Sequence, residues 1–146
     1  MRMHLLSVAV LLTAPALFAD DSADRAKLNG AWQSQDEAHA VWTLEEQGAA
    51  IHISNSQGDK KLSEFVCNLG VECEIKEAGR KVKVTVYFNG PKLVVFETRG
   101  EEVFKRRFGM ATAGDVLELE TIPVVPDGKT ETVHFTRLQT AAAQKP

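Results

Sequence analysis

Glu97 and Arg106 are the residues of this chain whose positions most invite chemistry. Each stands where alternation otherwise calls for a large apolar residue: Leu93, Val95, Glu97 in one segment and Phe104, Arg106, Phe108 in the next. Alternate residues of a strand share a face, so both charges fall on the apolar side, and Thr121 joins them from the segment that follows. A charge on such a face must be paired or meet a ligand. Two arrangements satisfy that demand. Glu97 and Arg106 can form an ion pair, either buried and structural or at a rim exposed to water, or Arg106 can use its planar donor fork to anchor a carboxylate or phosphate in a ligand cavity, with Glu97 and Thr121 beside it.

Other chemistry finds less support. His39, His52 and His134 do not converge, since His52 and His134 take outward positions on different strands and His39 lies in a loop; zinc wants three or four converging ligands, so no metal is expected. Lys105-Arg106-Arg107 is split between faces by strand alternation, and Glu101 and Glu102 dilute what remains outside. No Gly-x-Ser-x-Gly elbow is present, no Ser or Thr has an identifiable His partner, and no glycine-rich run opens a helix to cradle phosphate. No catalytic residue, cofactor or enzymatic activity is expected.

The elements that must position these residues are strands. Apart from a short helical stretch over residues 21–28, the pattern is alternation broken by glycine-bearing turns every eight to twelve residues, which marks an all-β sandwich or barrel. Taken as two-residue turns, Gln47-Gly48 sets Leu44 opposite Ile51 and Trp42 opposite Ile53; Ala78-Gly79 sets Ile75 opposite Val82; Asn89-Gly90 sets Val86 opposite Leu93 and Val84 opposite Val95. A turn at Arg99-Gly100 or Gly100-Glu101 follows, and one near Ala113-Gly114 brings Phe108 opposite Leu119 and Arg106 opposite Thr121. Proline before Asp127-Gly128 favours a three-residue bulged turn that pairs Leu119 with Phe135 and Leu117 with Arg137. Residues 55–60 stay without a register.

One continuous apolar face results, running from Trp42, Leu44, Ile51, Ile53 and Phe65 through Ile75, Val82, Val84 and Val86 to Leu117, Leu119, Val133 and Phe135, while Lys76, Lys81, Lys83, Lys105, Arg107, Glu118 and Glu120 take the other face. The fold class expected is an all-β, antiparallel up-and-down barrel of about eight strands with a short N-terminal helix. Tyr87, Val94, Phe96 and Val103 form an apolar group on the outside, either a contact surface or a patch covered by residues 21–28.

Residues 1–19 read as a secretory signal: Arg2 and His4, an apolar run over residues 5–12, and small residues ahead of Asp20-Asp21. Cleavage after Ala19, or after Ala16, removes Arg2 and takes the formal charge from −3 to −4. Residues 20–139 are then one domain and 140–146 a disordered tail. An acidic balance argues against nucleic acid, and no later stretch suits a membrane span. A monomer in the periplasm or the secreted fraction is expected. There an even cysteine count reads as a disulfide, Cys67 to Cys73, drawn as a cross-strand pair with Phe65 opposite Ile75.

Leu28-Asn29-Gly30-Ala31-Trp32 at the first strand and His134-Phe135-Thr136-Arg137-Leu138 at the last resemble the lipocalin and wider calycin pattern. There a Gly-x-Trp opens the first strand and an arginine of the last strand packs across the tryptophan, the positions of Gly30, Trp32 and Arg137. The second lipocalin motif, a Thr-Asp-Tyr segment, has no match, and the chain looks more like the short bacterial lipocalin-like domains. The resemblance implies an exported protein that binds a small apolar or amphipathic ligand. The alternative is a protein-interaction module or envelope enzyme inhibitor acting through its outer surface or loops.

Overall fold

A computed structural model describes residues 21–36, 39–112 and 115–138. The signal with its two cleavage sites, the Ala113-Gly114 turn and the tail over residues 140–146 lie outside these residues. One short helix, α1 (Ser22–Ala26), precedes ten strands: β1 (Gly30–Ser34), β2 (Ala40–Gln47), β3 (Ala50–Gln57), β4 (Lys60–Asn68), β5 (Cys73–Glu77), β6 (Arg80–Asn89), β7 (Lys92–Arg99), β8 (Glu102–Met110), β9 (Val116–Val125) and β10 (Glu131–Arg137). They form one antiparallel sheet in the order β4-β3-β2-β1-β10-β9-β8-β7-β6-β5. First and last strands pair in the middle, and the two outer strands, β4 and β5, are tied by the Cys67–Cys73 disulfide. The sheet is therefore rolled into a nearly closed barrel.

Ten strands replace the eight expected. The stretch at residues 55–60 is no loop: β3 runs to Gln57 and β4 starts at Lys60, with a bulge between Asn55 and Ser56 and only Gly58 and Asp59 turning the chain. The five-residue β5 adds another short strand beside Ala78-Gly79.

Several registers shift, for one backbone reason. Gly48, Gly58, Gly90 and Gly100 have φ between 57° and 64° and occupy the first loop position, followed by Ala, Asp, Pro and Glu with no positive φ. Positive φ first and negative φ second is the order of a type II′ turn, which wants glycine first; Pro91, with its ring holding φ negative, can only take the second place. So Asn89 pairs with Lys92, Val86 with Val95 and Val84 with Glu97, and Leu44 pairs with Ile53 rather than Ile51. Ala78-Gly79, both at positive φ, keeps Ile75 opposite Val82. The connection after β9 spans residues 126–130, longer than the bulged turn expected, so Leu119 meets Val133 and Leu117 meets Phe135. Each slip moves pairing by two residues, which leaves every side chain on its face. Phe108 opposite Leu119 and Arg106 opposite Thr121 stand as drawn.

The apolar face is the core. Trp32, Ile53, Val84, Val86, Leu93, Phe108 and Leu117 have no accessible surface, and Leu44, Ile51, Val82 and Phe135 almost none. Apart from Val82, which stands near the β5–β6 turn, these side chains fill the half of the barrel toward the β2–β3, β6–β7 and β8–β9 turns, where α1 lies. Arg25 of α1 donates from Nε to the Gly90 carbonyl at 2.8 Å and stacks 4.8 Å from the Phe88 ring centroid. On the outer face Val94 is buried, and Tyr87, Phe96 and Val103 are half-buried.

The disulfide does not sit in a ladder as drawn. The Leu69 N–H bonds to the Ala49 carbonyl at 2.8 Å and the Gly70 N–H to the Val86 carbonyl at 2.7 Å, so β4 stays on β3 while β5 joins β6. Phe65 consequently pairs with Ile53 and not with Ile75. Cys67 and Cys73, with Cα atoms 6.0 Å apart, bridge the seam between the sheet's outer strands. Closing so short a loop stabilises by about 2 kcal/mol in the chain-entropy model. Replacing both cysteines by serine is expected to lower the unfolding free energy by about that amount in urea titrations, with the far-UV spectrum unchanged.

Candidate functional site at the open end of the barrel

At the filled end, Trp32 and Arg137 are Cα partners across β1 and β10. The Trp32 Nε1–H donates to the Leu28 carbonyl at 2.9 Å, and the Arg137 guanidinium lies 4.2 Å from the ring centroid. The same guanidinium donates to the carbonyls of Asn29 at 2.8 Å and Lys27 at 3.0 Å. Arg137 thus ties the chain leaving α1 to the last strand while covering the indole face. Gly30 makes room: its φ is 133°, and a Cβ there would stand 2.7 Å from Arg137 Nη1. These residues are a floor.

The other end is open. The β3–β4, β5–β6 and β7–β8 turns surround a recess of about 1440 Å³ that reaches the seam between β4 and β5. Its apolar wall is Leu62, Val82 and Phe104, and its charged wall holds Lys60, Lys61, Arg80, Lys81, Arg99 and Arg106 against Glu77, Glu101 and Glu102. Asn55 also lines it, with Oδ1 buried and without a hydrogen-bond partner.

Beneath the recess lies an ion network. Glu97 is only 4% exposed. Its Oε2 accepts from Arg99 Nε at 3.1 Å and Nη2 at 2.9 Å, and its Oε1 accepts from Arg106 Nη1. Arg99 also pairs with Glu77. Burial alone would push the Arg99 guanidinium down, but hydrogen bonds and charge from Glu97 and Glu77 outweigh it and hold Arg99 above its ordinary value. Arg106 lies 5.6 Å from the Trp42 ring centroid, and Trp42 meets Phe108 edge-on at 5.2 Å. The network is therefore neutral, two carboxylates to two guanidiniums, and roofs the apolar core.

Of the three residues singled out for a ligand, Glu97 and Arg106 come together, and half-buried Thr121 sits opposite Arg106 in the β8–β9 ladder. Arg99 and Glu77 were missed. Both precede glycine turns, and their signal was face parity: Arg99 continues Leu93, Val95, Glu97, and Glu77 continues Cys73, Ile75.

The histidines sit elsewhere. His52 lies outside between Glu64, at 3.0 Å, and Glu45, at 3.7 Å; His134 stands 3.2 Å from Glu118; His39 precedes β2. Hydrogen bonds from Lys61 and His52 hold the Glu64 carboxyl below its usual range. Among the described residues no group of three or more His, Cys, Asp or Glu is placed to hold a metal ion, and no helix is long and apolar enough to cross a membrane.

A rolled antiparallel sheet, a short helix at its filled end and an arginine on the first-strand tryptophan decide the architecture. The fold is that of the calycin β-barrels. No family model and no curated protein matches the sequence. Among solved structures, a Schistosoma mansoni fatty acid binding protein in complex with arachidonic acid superposes with a TM-score of 0.67 at 16% identity, covering 80% of this chain and 99% of that one. The REP1-NXSQ fatty acid transporter gives 0.67 at 14% identity over 79% and 98%. Secretory abundant heat soluble protein 4 from Ramazzottius varieornatus gives 0.64 at 13% over 77% and 96%. At these identities the likeness is one of fold.

Proposed function

We propose that this protein is an exported binding protein for a small amphipathic anion, taken up in the recess at the open end of the barrel, and not an enzyme. The observation that carries the reading is local charge: six cationic side chains line the recess against three acidic ones, in a chain whose formal net charge is −3. Leu62, Val82 and Phe104 supply the apolar wall that an amphiphile needs beside those charges. The fatty acid binding and transport proteins that share the fold support an apolar portion in the ligand. In this reading Glu97, Arg106 and Thr121 form the polar boundary beneath the ligand, and residues 20–139 are the mature domain.

Export agrees with the disulfide, which persists in oxidising compartments. Native mass spectrometry of protein purified from its own host tests ligand and export together. The expected spectrum shows a chain starting at Asp20, two mass units lighter than the dithiol form as one disulfide requires, with a co-purifying lipid-sized adduct. An uncleaved chain with two alkylatable thiols would remove export. A mature chain free of adduct that instead captures a protein would favour the interaction module, for which Val66 and Val71, 53% and 55% exposed beside the seam, offer a surface.

A further inference from the structure

We propose that the ligand lies head outward, with its apolar chain on Leu62 and Phe104 above buried Val82 and its anionic head group against Lys60, Lys61, Arg80 and Lys81 at the lip of the recess, which selects single-chain lipids bearing a phosphate monoester. This rests on the reading of the recess as a site for an amphipathic anion, and it decides between the two sets of cations there.

The inner set is occupied. Arg99 and Arg106 both donate to Glu97, and Arg99 forms an ion pair with Glu77 as well. Glu97 is not part of the recess wall, being buried behind it. Arg106 gives one N–H to Glu97, so an anion approaching its remaining donors from the recess meets a guanidinium whose charge Glu97 already balances, and stands beside that carboxylate, where like charges repel. The solid core below leaves no room for an alternative, because Phe108, Leu93 and Val84 have no accessible surface.

The outer set is available. Lys60 begins β4 and Arg80 begins β6, both at the open end of the barrel; both are exposed, and neither has an ion-pair partner among the described residues. Lys61 and Lys81 stand next to them, each sharing one exposed carboxylate, Glu64 and Glu74. Such surface pairs are weak and exchange readily. With Glu64 and Glu74 counted, the four cations leave a surplus of two charges at the lip, more than a single carboxylate neutralises, whereas a phosphate monoester carries about −1.5 to −2 charge and three acceptor oxygens, and lysine binds phosphate as a point charge. A head group outside the barrel also meets no steric limit.

Calorimetry on the mature, oxidised protein tests the assignment, with oleoyl lysophosphatidic acid, oleate, oleoyl lysophosphatidylcholine and inorganic phosphate as probes. Lysophosphatidic acid is expected to bind tightest, and inorganic phosphate at the same concentration is expected neither to bind nor to compete. The double variant Lys60→Glu/Arg80→Glu changes two exposed side chains without partners, so its melting temperature should equal that of the parent. It should weaken lysophosphatidic acid binding by roughly tenfold or more and leave lysophosphatidylcholine within about twofold. Raising ionic strength should shrink the advantage of lysophosphatidic acid over lysophosphatidylcholine, because charges at an exposed lip are screened over a Debye length of about 8–10 Å. Unchanged lysophosphatidic acid affinity in the double variant, oleate binding with rejection of both phosphate-bearing lipids, or competition by phosphate alone each overturns the head-outward site while leaving a ligand-binding recess. Failure of every amphiphile to bind the parent overturns both.

Discussion

Trp32→Ala is expected to lower the unfolding free energy by about 3–5 kcal/mol, the range for truncating a buried aromatic ring. The ring has no accessible surface, packs under the Arg137 guanidinium, and uses its only N–H on the Leu28 carbonyl. Truncation therefore opens a cavity at the filled end and removes the hydrogen bond that holds the chain between α1 and β1. Arg137→Ala should cost less, about 1–3 kcal/mol, since that side chain is exposed and its loss is one of packing, stacking and two bonds to carbonyls. The carbonyls of Asn29 and Lys27 that it leaves are near the surface and can turn to water. The double variant should cost less than the sum, because each single change already removes the same contact. Denaturant titrations of the four proteins read the coupling directly. Strict additivity would mean that indole and guanidinium do not meet in solution, and the floor described for this barrel would be wrong.

Side-chain parity explains how much of the fold was legible. A strand has period two, so any hairpin register that differs by an even number of residues yields the same inner and outer faces. That is why the placement of the turns at Gly48 and Gly90 could be off by a residue while the inward set stayed right: Val84, Val86, Leu93 and Val95 point inward under either pairing. What decided the true register was a backbone property, whether glycine takes the first or the second loop position, and residue type alone leaves that open when the flanking residues suit both turns. The proline after Gly90 was the exception, because its ring forbids the positive φ that a second type I′ position requires.

Connectivity was less legible than faces. Cys67 and Cys73 invite a ladder, since two cysteines near a turn read as facing residues of one hairpin. The observed seam arises because backbone groups of Leu69 and Gly70 bond away from each other, to Ala49 and Val86, and pull β4 and β5 into different neighbourhoods. No side-chain pattern announces such bonds. At the open end the same parity rule that placed Glu97 and Arg106 also held Arg99 and Glu77, but both stand next to turn glycines. A residue there reads as part of the turn until the strand is seen to run through it, and β5 and β7 run through Glu77 and Arg99.

Glu97 is the member of the ion network whose loss should cost most, for among the described residues it alone serves both arginines. Arg106→Met removes one donor, yet Glu97 keeps the two bonds from Arg99 and remains a paired carboxylate. Glu97→Leu leaves Arg99 with Glu77 but gives Arg106 only the Trp42 ring, 5.6 Å away. Stranding a buried charge typically costs 3–5 kcal/mol; because the Arg106 side chain retains about one fifth of its exposure, the figure here should be nearer 2–4 kcal/mol. Arg106→Met should cost distinctly less, and Glu97→Leu/Arg106→Met should recover much of the loss, since the remaining Glu77–Arg99 pair is neutral and both new side chains suit the apolar layer below. Thermal and urea melts of the three variants rank these costs. Equal losses for the two single changes would show that Arg99 does not hold Glu97 in solution. No loss for Glu97→Leu would show that the network is solvated, and then the inner arginines, and not only the cations at the lip, would be open to an entering anion.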